Sequence, residues 1–399
     1  MRPVPPRTRS VCLYTPSVDP SGMGAHMLDL AAEFVPHLDV SVMCWGTAAG
    51  RRVLTRAAAL GATALALPHP RDPVFGQTIV DFLTDHPTDV FHLHVGSGRE
   101  DFDGARAARR SGVPVVVQTQ HQPWLLNSRK RASFFRAIAP VDRLIAVSEG
   151  VRLTHLRIGV PADSMVTVPN GIVRRGAGPG RQAARAQLGL HPDQPVIMTV
   201  GRLMVQKGQS YLVAAIPALA ARFPRLAVVI VGGGYLADEL ARQAAELGVA
   251  EIVHLPGHRD DARMLLDAAD VFVLPSRQEG MPLAALEAMD VGLPVVATDV
   301  IGTAEVVANR QTGTLVAPQD PAALAAALAE LLGDPVLRAR YGEAGSLRYT
   351  ELFTAQRMAA QTLAVYDDLL RESAPRSVAG PPRSRPVQTA QGRLDPVWP

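Results

Sequence analysis

The sequence predicts an α/β protein with two doubly wound domains, each a parallel sheet wrapped by helices. Three observations carry this. The 399 residues exceed what one ordinary core encloses, and two domains of roughly 150–200 residues are the natural division. Short β-branched runs recur with enough chain between them for a helix. Most of these runs are continuously apolar and do not alternate, which suits strands covered on both faces by crossover helices. An apolar fraction of 47% is ample for two cores.

In the first half the strand candidates are VCLYT (11–15), VSVMCW (40–45), TALAL (63–67), VFHLHV (90–95), VPVVVQT (113–119), RLIAVS (143–148) and MVTVP (165–169). The second half repeats the style with VIMTVG (196–201), LAVVIVG (226–232), IVHLPG (252–257), VFVLPS (271–276), PVVAT (294–298) and GTLVA (313–317). Helical spacing fills the gaps. DELARQAAELG (238–248) closes on a glycine in the C′ position, and PAALAAALAELLG (321–333) opens on Pro321 in its first turn. Glycine, proline and arginine break the periodicity in VRRGAGPGRQAA (173–184), which divides a domain at 11–172 from one at 185–350. A last helix is expected at 351–372, after the second set of strands is complete. The ends, 1–10 and 373–399, are rich in proline and arginine and read as disordered.

Net charge is only +3, and the basic balance comes from the arginine-rich ends more than from any dense basic face, so nucleic acid is not an expected partner. The two cysteines, Cys12 and Cys44, fall inside predicted strands and read as core thiols of a reducing compartment. The VCLY stretch is far too short for a signal-peptide core, and no run of about 18 apolar residues occurs. A soluble, cytoplasmic protein is expected.

Ligands of open parallel sheets bind at the carboxyl ends of the strands. One such turn is PSRQEGMPLAALEAMDVGLPVVAT (275–298), where a polar loop holds Glu279 and Gly280, and Pro282 starts a helix. That helix is almost wholly apolar and carries a lone carboxylate, Glu287. An isolated charge in a core is very costly, so Glu287 either reaches a cleft or pairs with a neighbouring helix. Glu279, just before the helix, either serves chemistry or compensates the helix dipole. A second turn, VGRLMVQKGQS (200–210), places Arg202 and Lys207 where an anion would bind. By itself this is also the pattern of two solvated loop cations.

Other turns add candidates. VVIVGGGYLADEL (228–240) has glycines after a strand but lacks the G-x-G-x-x-G order, so it is a weak dinucleotide signal. LPGH (255–258) follows the next strand. VVVQTQH ends a strand on His121, and His92 and His94 alternate so that both point to one face of theirs. A two-His metal site would need further ligands, and none is apparent in the sequence. The Asp101-Phe102-Asp103 triplet is too short and too isolated to read as a metal motif. The stretch 127–140, with Arg129, Lys130, Arg131 and Arg136 beside Phe134 and Phe135, is an amphipathic helix whose basic face lies in water or on anionic lipid.

Taken together and in order, Glu279-x₇-Glu287, G-R-L-x₃-K-G, P-N-G-I at 169–172 and the strand-end His121 resemble the retaining GT-B glycosyltransferases of the family 4 type. The resemblance spans about 11–370 and implies two Rossmann-like domains facing a central cleft, with the last helix returning to the first. It implies that Arg202 and Lys207 neutralise the diphosphate of a nucleotide-sugar donor, helped by the backbone after Glu279, with Gly280, Met281, Pro282 and Leu283 as donor-binding residues. Glu287 would hold the donor ribose, and Glu279 with His121 would orient the sugar. Gly22, Gly232, Gly257 and Arg259 would line the donor, and His26, His94 and Ser148 the acceptor side. No cofactor and no metal are implied. Ser21 and Val173 depart from the Gly and Asp usual at those positions. A sugar-nucleotide epimerase of the same fold and a catalytically silent sugar-nucleotide-binding protein are the alternatives. The acceptor, the nucleotide and the oligomeric state are not legible.

Overall fold

The computed structural model describes residues 8–17, 21–96, 103–125 and 128–373, the side chains of Ser128 and Arg129 excepted. The first sheet contains β1 (Ser10–Thr15), β2 (Asp39–Trp45), β3 (Thr63–Leu67), β4 (Val90–Val95), β5 (Val115–Gln120), β6 (Arg143–Ala146) and β7 (Met165–Thr167). Their spatial order is β3-β2-β1-β4-β5-β6-β7. The second contains β8 (Val196–Val200), β9 (Ala227–Val231), β10 (Val253–His254), β11 (Val271–Leu274), β12 (Val295–Thr298) and β13 (Gly313–Val316), in the order β10-β9-β8-β11-β12-β13. Neighbouring strands pair in parallel throughout both sheets. Every expected apolar run is therefore a strand. β4 and β5 are buried along their whole length, as their unbroken apolar and histidine pattern requires. β10 is shorter than its run because Pro256 cannot donate to a ladder and Gly257 turns the chain at φ +74°.

The helix Ala237–Glu246 ends as expected, with Gly248 in the left-handed region at φ +69°. Pro321 opens Pro321–Gly333, whose N-cap Asp320 accepts from the Ala323 N–H. The C-terminal region differs from expectation. A helix at Pro335–Leu352 precedes the last one, and the helix expected at 351–372 runs over Ala355–Ser373. The break falls at Phe353–Thr354, where Ile172 accepts from the Ala355 N–H at 2.9 Å and donates to the Phe353 carbonyl at 3.0 Å. The final helix then packs on the first domain, with Met358, Ala359, Tyr366 and Leu369 joining Leu13, Phe34 and Val117. Asp367 also accepts from the Thr8 N–H and hydroxyl.

One apolar core crosses the domain junction. Trp124, Phe134, Val147 and Val151 of the first domain share it with Met281, Leu286, Ala297 and Phe353 of the second. That shared burial holds the two sheets in register across the cleft. Cys12 and Cys44 are buried and unbridged. Among the described residues no helix is long and apolar enough to cross a membrane. The expected tail from 374 onward and the arm at 1–7 lie outside the described residues.

Candidate active site

Each sheet reverses its strand order once, between β1 and β4 in the first and between β8 and β11 in the second. A crevice opens at such a switch point, outside the carboxyl ends of the flanking strands. The candidate residues gather there. Lys207 lies after β8, and Glu279 lies after β11. In the other domain His26 follows β1, His94 ends β4, and His121 follows the adjacent β5.

On the second-domain side, Lys207 Nζ donates to Glu279 Oε1 at 2.7 Å, and Ser276 Oγ donates to the same oxygen at 2.7 Å. Glu279 is buried at 3% exposure, so both partners are needed to hold its charge away from water. Gly208, at φ +65°, turns the chain from Lys207 into the helix Gln209–Arg222, and a Cβ there would lie 2.0 Å from the Pro275 carbonyl. Arg202 is exposed in the same loop. Beyond Glu279 the chain enters the helix Leu283–Asp290 with Pro282 as N-cap. Among the described residues the N–H groups of Gly280, Met281 and Leu283 donate no hydrogen bond, so this helix start presents unpaired amides beside Lys207.

The first domain meets this loop directly. The Ser148 hydroxyl donates to the Gly280 carbonyl at 2.7 Å, while also capping the helix Glu149–Arg157. A Cβ on Gly280 would lie 2.0 Å from the His121 carbonyl, so only glycine lets the two domains approach here. Asn170 Nδ2 donates to the Met281 carbonyl at 2.9 Å, and Asn170 Oδ1 faces His26 Nδ1 at 3.0 Å. Gln122 accepts from Gln206 and Gln278 at 3.2 Å each, flanking the Lys207–Glu279 pair. Thus His121, Ser148, Asn170, Lys207, Glu279, Gly280 and Met281 form one seam between the domains.

The histidines form a buried group. His26 and His121 meet edge to face with ring centroids 4.7 Å apart, and His94 Nδ1 lies 3.2 Å from His121 Nε2. His92 and His94 do share a face, with centroids 4.1 Å apart, but both His92 nitrogens are engaged, by Tyr366 and by Thr119. Burial pushes His26 down to about 4 despite the Asn170 hydrogen bond. Burial, and then neighbouring imidazoles, hold His92, His94 and His121 well below the ordinary value. All four are neutral at pH 7. Sequence alone brought out the strand histidines singly; their meeting with His26, through helix Ser21–Phe34, is a product of the fold.

Glu287 is placed differently from Glu279. It pairs with Arg263 at 3.5 Å on an adjacent short helix, so it has the neighbouring-helix partner that the local pattern allowed. Asp290 lies 3.5 Å from the same guanidinium. Burial pushes Glu287 up to about 7, with Arg263 opposing and Asp290 reinforcing the shift. Asp29, across the domain junction, is also raised to about 7 by burial, although the Val173 N–H donates to it. Asp29, Arg263 and Asp290 were not singled out from the sequence, because their meeting with Glu287 is nonlocal.

The remaining candidates sort by geometry. A Cβ on Gly232 would lie 1.9 Å from the Gly201 carbonyl, so this glycine admits the neighbouring β8 loop. Its N–H donates to the Gly257 carbonyl at 2.9 Å, which ties the two donor-side turns together. Arg259 is engaged by Asp261 at 2.7 Å. Gly22 sits exposed in the first turn of its helix, and Ser21 beside it takes φ +26°, where the family's usual glycine would sit without strain. In the basic helix, Ser128–Ile138, Phe134 is buried against Trp124 and is withdrawn from any surface role. Residues 101 and 102 of the acidic triplet lie outside the described residues.

Comparison with known proteins identifies the family and the fold. The sequence model of the family described as "Glycosyl transferases group 1" matches residues 180–348, and that of "Glycosyltransferase Family 4" matches residues 20–174. The chain is 34% identical over 260 residues to a GDP-mannose-dependent alpha-(1-6)-phosphatidylinositol monomannoside mannosyltransferase of Mycolicibacterium smegmatis, covering 60% of this chain and 66% of that protein. It is 33% identical over 394 residues to the alpha-maltose-1-phosphate synthase of the same organism, covering 88% of this chain and 96% of that one. Among solved structures, Anabaena HepE in complex with UDP-glucose superposes with a TM-score of 0.78 at 20% identity, covering 90% of this chain and 99% of that one. The chain therefore belongs to the group 1 glycosyl transferases and has their GT-B fold.

Proposed function

We propose that this protein transfers a sugar, with retention of anomeric configuration, from a nucleotide-diphosphate-sugar donor held between β8 and β11. The observation that carries the reading is the seam at Gly280. Unpaired amides at a helix start lie beside Lys207, and the His121 carbonyl closes the opposite wall. Such amides attract a diphosphate, and Lys207 with Arg202 stabilises the negative charge that grows on the leaving nucleotide. No metal is needed for that task. Lys207 is already paired with Glu279, so an arriving diphosphate shares the cation and loosens Glu279 toward the sugar. Neutral His121 offers the sugar a hydrogen-bonding group that does not compete for the phosphate. Glu287 takes the ribose hydroxyls from its half-buried place beside Arg263.

The relatives differ in donor: one is named for GDP-mannose, and HepE was solved with UDP-glucose. An assay therefore spans UDP-, GDP- and ADP-sugars. Slow donor hydrolysis, followed by proton NMR, tests the stereochemistry without knowing the acceptor. Free hexose emerging first as the donor's own anomer is the expected result. The opposite anomer overturns retention, and no nucleotide release from any donor in the presence of cell-extract acceptors overturns the activity.

A further inference from the structure

We propose that His26, His94 and His121 form a binding site for one divalent transition-metal ion of the zinc class, and that an ion there switches transfer off. The switching clause rests on the sugar-site role given to His121 above; the binding clause does not. One ring nitrogen from each of the three residues lies within 4.8 Å of the other two. Two nitrogens on a tetrahedral zinc at about 2.0–2.1 Å stand about 3.3 Å apart. His94 Nδ1 and His121 Nε2, at 3.2 Å, already have that spacing. His26 supplies a ring nitrogen within 4.8 Å of one on each of the other two residues, against about 3.3 Å on a tetrahedral zinc.

The protonation pattern also fits. Asn170 Nδ2 donates to the Met281 carbonyl, which leaves Oδ1 as an acceptor facing His26 Nδ1. His26 Nδ1 therefore carries the proton, and Nε2 is a bare lone pair. A ligating histidine is typically fixed in this way by an outer acceptor. His94 is fully buried, yet its Nε2 has no hydrogen-bond partner among the described residues, and its Nδ1 meets only another imidazole. Ligation through Nδ1 places the His94 proton on Nε2, which lacks an acceptor among the described residues. His92 is excluded as a ligand because Tyr366 and Thr119 occupy both its nitrogens. Three imidazoles without a carboxylate select zinc, copper or nickel over magnesium or calcium, and a three-ligand set leaves one position open to water or a sugar hydroxyl. With metal bound, His121 has no free lone pair for the donor sugar.

The test uses untagged, full-length protein freed of metal with a chelator. Zn²⁺ is titrated by calorimetry, and Co²⁺ by visible absorption. One ion per chain with the intense d–d bands of tetrahedral cobalt is expected. His94→Ala weakens binding by at least about 100-fold, and Asn170→Ala by about 10- to 100-fold through loss of the outer acceptor. Zn²⁺ inhibits nucleotide release with the same midpoint as binding, and chelator restores it. Binding unchanged in both His26→Ala and His94→Ala overturns the site, because exposed histidines would then be the ligands. Should those variants not fold, the wild-type cobalt spectrum decides: weak octahedral bands alone overturn it. Zinc bound at the three histidines with nucleotide release unaffected overturns the switch while leaving the site. Absence of release from any donor strikes the transferase reading and not the binding result.

Discussion

Glu287→Gln is expected to stabilise the unliganded protein, and by an amount that grows with pH. Burial raises the Glu287 carboxyl to about 7, Arg263 offsets part of that, and Asp290 adds to it. The folded state thus holds this proton more tightly than the unfolded chain, whose carboxyl titrates near 4.5. The contribution is fully present below about pH 4.5 and is lost as pH rises through 7. Above pH 7 the ionised group costs the fold roughly 3 kcal/mol. Glutamine keeps the shape and cannot ionise. The variant should therefore exceed wild type by under about 1 kcal/mol at pH 5 and by roughly 3 kcal/mol at pH 8. Asp29, raised partly by Glu287, adds to the gain, because removing one charge eases the other. Urea unfolding at pH 5, 6, 7 and 8, read as midpoint shifts at constant slope, measures the difference. A difference independent of pH, or a variant less stable at pH 8, refutes the reasoning. Donor affinity should fall in the same variant, as expected of a carboxylate held at a cost for the sake of a ligand.

Three further outcomes follow from the seam and the core. Lys207→Ala leaves Glu279 buried without its cation; it should lower nucleotide release by about 10²- to 10³-fold and cost about 3 kcal/mol of stability. The Lys207→Ala/Glu279→Ala double variant should melt higher than Lys207→Ala alone, and equal or lower melting would show that the pair is not coupled. Gly280→Ala places a Cβ 2.0 Å from the His121 carbonyl, so the domains must part; small-angle scattering should show a wider particle with a raised donor KM, and an unchanged profile contradicts the contact. Tyr366→Phe removes the hydroxyl from buried His92 and should cost about 1–2 kcal/mol in unfolding, with donor KM within twofold of wild type.

The strands were legible because parallel strands covered on both faces need unbroken apolar runs, and each such run in this chain is a strand. The helix Pro335–Leu352 was not, because Gly342 and Gly345 lower its apparent propensity. Gly342 is there because a Cβ would lie 2.0 Å from the Gly292 carbonyl, a packing reason that only the fold reveals. The site divides in the same way. Lys207 and Glu279 were visible as strand-end residues, and in the fold they pair at 2.7 Å. The sequence left Glu287 either a cleft or a neighbouring helix to meet, and Arg263 is a partner of the second kind. That partner, like Asp29 and the meeting of His26 with His94 and His121, joins segments far apart in sequence. No local spacing carries such contacts.

The central claim is that the seam between Lys207, Glu279 and Gly280 holds the donor diphosphate for transfer. Nucleotide release from UDP-, GDP- and ADP-sugars, compared between wild type and Lys207→Ala, tests it most directly. One nucleotide should be released by the wild type and about 10²- to 10³-fold more slowly by the variant, with the variant still folded by circular dichroism. Equal rates in the two proteins would contradict the account.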